Sequence, residues 1–123
     1  MSYVGIPAGA LFLLWAAAFA YVAVRGRAGT LPKGSMVGLH SPLIEKSDET
    51  WKIGHEGGWV FMAAGGILAT FHGAGTLIAV LLMGADGPRF AQPLVIMGVV
   101  VCVAMWWLAG KAADDAVKRS GKG

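Results

Sequence analysis

His40, His55 and His72 are the side chains in this 123-residue sequence best suited to chemistry at neutral pH. His72 falls inside the uncharged run from Gly57 to Ala85, where an ionisable group is rare and commonly functional. An imidazole there can ligate haem, relay a proton or meet a quinone. Its ordinary role, and the one expected here, is a neutral ring hydrogen-bonded across a helix interface. A bis-histidine haem needs a second His, and the other apolar stretches hold none. His55 precedes His72 by 17 residues, roughly 25 Å along one helix. The two cannot share a metal. His55 has Glu49 and Glu56 nearby, and the group reads as a network anchoring the chain among lipid headgroups. His40 could reach His55 if the loop folds back, but two His without a nearby Cys make a weak metal centre. The lone Cys102 permits no internal disulfide. No serine nucleophile, carboxylate pair or phosphate loop stands out. Gly57-Gly58 and Gly65-Gly66 lie within an apolar helix, so they are no nucleotide fingerprint. The sequence predicts no enzyme, no cofactor and no metal.

The elements that must position these residues follow from composition. Hydrophobic residues make up 56% of the chain and charged ones only 14%, about half the charge usual for a soluble domain. Three stretches carry the excess: 5–24, 57–85 and 93–110. Each approaches or exceeds the length of about 20 apolar residues that crosses a hydrocarbon core. Pro7 and Pro93 are expected in first turns, where a missing N–H costs little. The chain therefore reads as a single all-α membrane domain, residues 1–123, with three transmembrane helices.

Basic residues set the expected orientation. Nine of the ten Lys and Arg lie in the loop 25–56 or the tail 111–123, and only Arg89 lies in the turn between the second and third spans. The long loop and C-terminus are predicted cytoplasmic, with the N-terminus outside. Tyr21, Trp59, Trp106 and Trp107 fall near the cytoplasmic ends, as interfacial aromatics do. The basic residues follow the first apolar stretch instead of preceding it, which favours an uncleaved helix over a signal peptide. The net charge of +3 thus reflects topology and anionic lipid; no nucleic-acid surface is expected. Within the loop, Ser47 can cap a helix whose first turn holds Asp48 and Glu49. Only glycine interrupts the residues that follow, so this loop helix is predicted to lead into the second span. Trp51, His55 and Trp59 would share one of its faces. Gly65, Ala69 and Gly73 recur every fourth residue and mark where another helix, of this chain or a partner, can come close.

The residues Gly38, Pro42, Ser47, Glu49, Trp51 and His55, ahead of an apolar helix, resemble the signature of the SdpI-type family of bacterial membrane proteins. The spacing agrees without a gap, Asp48 is a conservative match, and the likeness covers residues 36–85. His40-Ser41 stands where the family has Arg-Thr, Leu43-Ile44-Glu45 replaces Trp-Thr-Leu, and Glu56 replaces an Arg. The resemblance implies a small non-enzymatic protein of the bacterial inner membrane. The family's best-known members confer immunity to a secreted toxin and sequester a repressor at the membrane. Three functions are thus expected, in order. The first is a structural accessory subunit among other membrane protein subunits, for example of a respiratory complex. The second is an immunity or signal-relay protein acting through its loop. The third is a cofactor-binding subunit centred on His72.

Overall fold

The computed structural model describes residues 2–121, with side-chain surroundings from residue 5 onward. Lys122, one of the basic residues assigned to the cytoplasmic tail, lies outside the described residues. Three long helices make the fold: α1 (Ser2–Ala28), α2 (Asp48–Leu82) and α3 (Gly87–Ser120). All three are long and apolar enough to cross a membrane. A short 3-10 turn at Ile44–Lys46 precedes α2, and another at Gly84–Asp86 joins α2 to α3. The 35 residues of α2 extend about 50 Å, against roughly 30 Å of hydrocarbon. Both α2 and α3 therefore outreach a bilayer core.

The elements are longer than their apolar runs, for local reasons. Ser47 caps α2 as expected, and the loop helix and second span form one continuous helix. That helix stops at Leu82, before Gly84 turns into the left-handed region at φ +56°. Pro88, not Pro93, occupies the first turn of α3. Pro93 lies inside the helix, as Pro7 lies inside α1, so the expected first-turn placement is corrected for both. A proline one turn further in removes one ladder bond and is tolerated where the flanking turns hold the helix. At its other end α3 runs past Gly110 through the residues predicted to form a tail. It closes at Gly121, whose φ of +76° suits a glycine cap.

α2 lies between the other two helices, which barely touch each other. Bringing backbones close is what holds helices together when the solvent is lipid. The predicted row does so within the chain. A Cβ on Gly73 would lie 3.0 Å from the Gly9 carbonyl oxygen, and one on Gly65 would enter the Phe19 ring at 2.5 Å. Ala69 between them is fully buried. On the other side of α2, a Cβ on Gly58 would lie 2.8 Å from the Ala109 carbonyl oxygen. Aromatic rings bridge what gap remains between α1 and α3. Phe19 stacks on Trp15 at 5.8 Å and meets the edge of Trp106 at 5.5 Å.

The backbone contact at Gly58 cannot yield as a flexible side chain would. Gly58→Ala should destabilise the fold by about 1–3 kcal/mol, the cost of overpacking. Gly110→Ala, with open space around its Cβ, should be neutral or slightly stabilising through helix propensity. Thermal unfolding of both variants in detergent measures the difference.

Candidate functional site

The polar chemistry gathers at one end of the molecule, where the segment between α1 and α2 folds back on α2 and α3. Ser47 begins the construction. Its Oγ accepts from the Thr50 N–H at 3.1 Å, and its own N–H donates to Thr50 Oγ1 at 2.9 Å. This reciprocal cap satisfies N–H groups that a helix start would leave unpaired. Asp48 and Glu49 occupy the same first turn, where the helix dipole favours negative charge. One turn on, Trp51 is 2% exposed, and its indole N–H donates to the Leu31 carbonyl at 3.0 Å.

His55 completes the dock. Its Nε2 accepts the Leu39 N–H at 2.8 Å, and its Nδ1–H donates to the Trp51 carbonyl at 2.8 Å. With Nε2 accepting, the ring must be neutral and carry its proton on Nδ1. The indole of Trp51 and the imidazole of His55 lie 4.3 Å apart between centroids. Gly38 passes over both rings, since a Cβ there would lie 2.8 Å from Trp51 and 2.9 Å from His55 Nε2. Three of the six family-like residues, Gly38, Trp51 and His55, thus meet one another, and Ser47 caps the helix that carries two of them. Pro42 is exposed on the loop beside it, and Glu49 faces outward from the first turn.

Two expectations change here. Both nitrogens of His55 bond to backbone, so it does not join Glu49 and Glu56 in a carboxylate network. Among the described residues His72 makes no bond across a helix interface; its Nδ1–H donates back to the Leu68 carbonyl of α2 at 2.8 Å. In a membrane helix, the carbonyl one turn back is the nearest partner that involves no second segment. The ring packs near Phe12 at 6.3 Å and Phe71 at 5.2 Å. One turn further, the buried Thr76 hydroxyl has no hydrogen-bond partner among the described residues. His40 does come near His55 through Trp51, its ring meeting the indole edge-to-face with centroids 5.5 Å apart. Its Nδ1–H donates to Glu45 Oε1 at 2.6 Å. Among the described residues no three His, Cys, Asp or Glu side chains assemble a metal-binding group.

Residues not singled out from sequence close the site. The Ser41 hydroxyl donates to Asp114 Oδ1 of α3 at 2.6 Å, tying the loop to the far helix, and accepts the Ile44 N–H at 3.2 Å. Between loop and helix lies an open cleft of about 600 Å³, reached by His40, Trp106, Lys111, Asp115 and Lys118. The signal was present in the charges spaced three, four and seven residues after Lys111, which put them on one helical face. Their position after an apolar run made them read as a tail. Comparison with family models, curated proteins and solved structures gives no match.

Replacing His55 with Ala leaves the buried Leu39 N–H unpaired, at a cost of about 1–3 kcal/mol. Faster amide exchange at Leu39 and easier cleavage after Lys33 should report the loosened loop. In the wild type, imidazole nitrogen NMR should show the Nδ1–H tautomer for His55. An Nε2–H signal would mean that the Leu39 bond is not made.

Proposed function

We propose that this chain is a non-enzymatic multi-pass protein of the bacterial inner membrane, SdpI-like, which acts by binding a partner at its loop end. The observation that carries this is the convergence of Gly38, Trp51 and His55 on one dock. A segment held by hydrogen bonds from Trp51 to Leu31 and from Leu39 to His55 presents a fixed shape to a partner. Preorganisation of that kind lowers the entropy lost on binding. The exposed residues around it, including Met36 at 94% exposure, form the recognition surface. The proposed orientation is N-terminus outside and C-terminus cytoplasmic, supported by the basic residues on the loop end and by Arg27 resting on the Trp59 ring at 4.7 Å. The loop then faces the cytoplasm, as an immunity or relay protein would require.

A second reading, a structural accessory subunit in a larger membrane complex, is favoured by α3. Its apolar window is the most hydropathic of the three and only 17% buried within the chain. Ile96, Val99, Val100 and Val103 offer an uncovered face to neighbouring subunits or to lipid. The row Gly65, Ala69 and Gly73 lends this reading no support, because α1 covers it.

A membrane-impermeant thiol reagent tests the orientation. Applied from outside, it should label Ala85→Cys in the turn and spare Ser120→Cys at the end of α3, both exposed positions. The reverse pattern removes the proposal. Photo-crosslinkers at Met36 and Val100 separate the two readings. A stoichiometric soluble adduct from Met36 supports loop recognition, and a membrane-protein adduct from Val100 supports the accessory role.

A further inference from the structure

We propose that the cleft between the loop and α3 holds the headgroup of an ethanolamine phospholipid. Asp115 receives the ammonium, and Lys111 and Lys118 receive the phosphate. Both pairs of opposite charge along this face, Lys111 with Asp115 and Asp114 with Lys118, have the four-residue spacing that normally closes an ion pair. Neither closes. Among the described residues Lys111, Asp115 and Lys118 make no salt bridge, while all three line the cleft. Asp114 is already engaged by the Ser41 hydroxyl at 2.6 Å, which leaves Asp115 as the half-buried carboxylate able to take a cation.

The lining balances two lysines against two aspartates. An anionic headgroup would suit an excess of lysine; a headgroup carrying both signs suits this balance. A primary ammonium donates three hydrogen bonds to carboxylates, as a lysine does, whereas a quaternary choline donates none. The apolar part of the ligand is also provided for. Trp106 and Trp107 line the cleft at the point where the apolar run of α3 gives way to charge. A smaller adjoining cleft shares Trp107, Lys111 and Asp115, includes Arg119, and extends over Phe61 and Leu108, apolar surface that an acyl chain can meet. The volume of about 600 Å³ is that of a small-molecule site. This assignment rests on the membrane placement proposed above, which puts the loop end at headgroup level.

Native mass spectrometry of the whole chain tests it, with the protein in mild detergent and equimolar phosphatidylethanolamine, phosphatidylglycerol and phosphatidylcholine. The wild type should retain phosphatidylethanolamine over each of the others by roughly fivefold, the scale of one partly exposed charge contact. Asp115→Asn should erase that preference, and Lys111→Gln with Lys118→Gln should lower phosphatidylethanolamine retention by a similar factor. Equal retention of all three lipids by the wild type overturns the proposal, whatever the variants do. So does a preference that survives Asp115→Asn. Equally strong capture of water-soluble glycerophosphoethanolamine would also overturn it, because the lipid would then be unnecessary. Thiol labelling of Ala85→Cys and Ser120→Cys in intact cells, as above, keeps the two proposals apart. A lost lipid preference with labelling at Ala85 intact removes the headgroup site alone, and failed labelling removes the membrane placement beneath it.

Discussion

Lipid gives helices no reason to prefer one another over acyl chains, so what they gain must come from close contact. That constraint is met in this fold by removing side chains wherever backbones cross. α2 has glycine toward α1 at Gly65 and Gly73 and toward α3 at Gly58, and each position admits an atom of the neighbour where a Cβ would stand. The same device reaches beyond the apolar runs. Gly26 lets the end of α1 approach the His55 backbone, where a Cβ would lie 3.1 Å from its carbonyl oxygen. Gly57 leaves room for the Ala116 methyl of α3. Three helix ends are thereby gathered tightly enough for one loop to span them.

The loop itself poses a different difficulty. Its irregular backbone abuts a buried surface, and unpaired N–H and carbonyl groups there are costly. Aromatic and imidazole side chains of α2 supply what a helix ladder would have supplied, Trp51 to the Leu31 carbonyl and His55 to the Leu39 N–H. His55 is suited to this because a neutral imidazole donates at one nitrogen and accepts at the other. The ring thus joins its own helix to a segment 16 residues earlier in the chain. Ser41 extends the arrangement to α3 through Asp114. Burial and polarity coexist at this end because each buried bond runs to a partner fixed by packing.

Hydropathy made the three helices legible, and the Ser47 cap with its acidic first turn located the start of α2 correctly. Local signals such as these need no knowledge of what lies across the fold. The boundaries were less legible. A window of apolar residues ends where charge begins, whereas a helix ends where its hydrogen bonds do, and α3 continues ten residues past Gly110. His72 shows the same gap between composition and geometry. An isolated imidazole in an apolar run suggests a distant partner, yet the carbonyl of Leu68 was always one turn away. Trp51 and His55 were identified as sharing a face, but that they would receive Leu31 and Leu39 depended on a fold-back that no periodicity encodes. Asp114 stayed hidden for the same reason, since its partner Ser41 is 73 residues distant.

The turn between α2 and α3 bears on how such a chain comes to its membrane. Only Met83 to Asp86 separate two helices of 35 and 34 residues. In the proposed orientation, the two long segments enter as a hairpin whose translocated tip is this small polar turn, with Arg89 close behind. The heavier polar mass, the loop and the far end of α3, never crosses. The dock around His55 then forms on the side where the ribosome delivers the chain. Closure of the loop onto α3 is consequently a late event. It awaits the emergence of Asp114, while the contacts of α1 with α2 can be made as soon as α2 has left the exit tunnel.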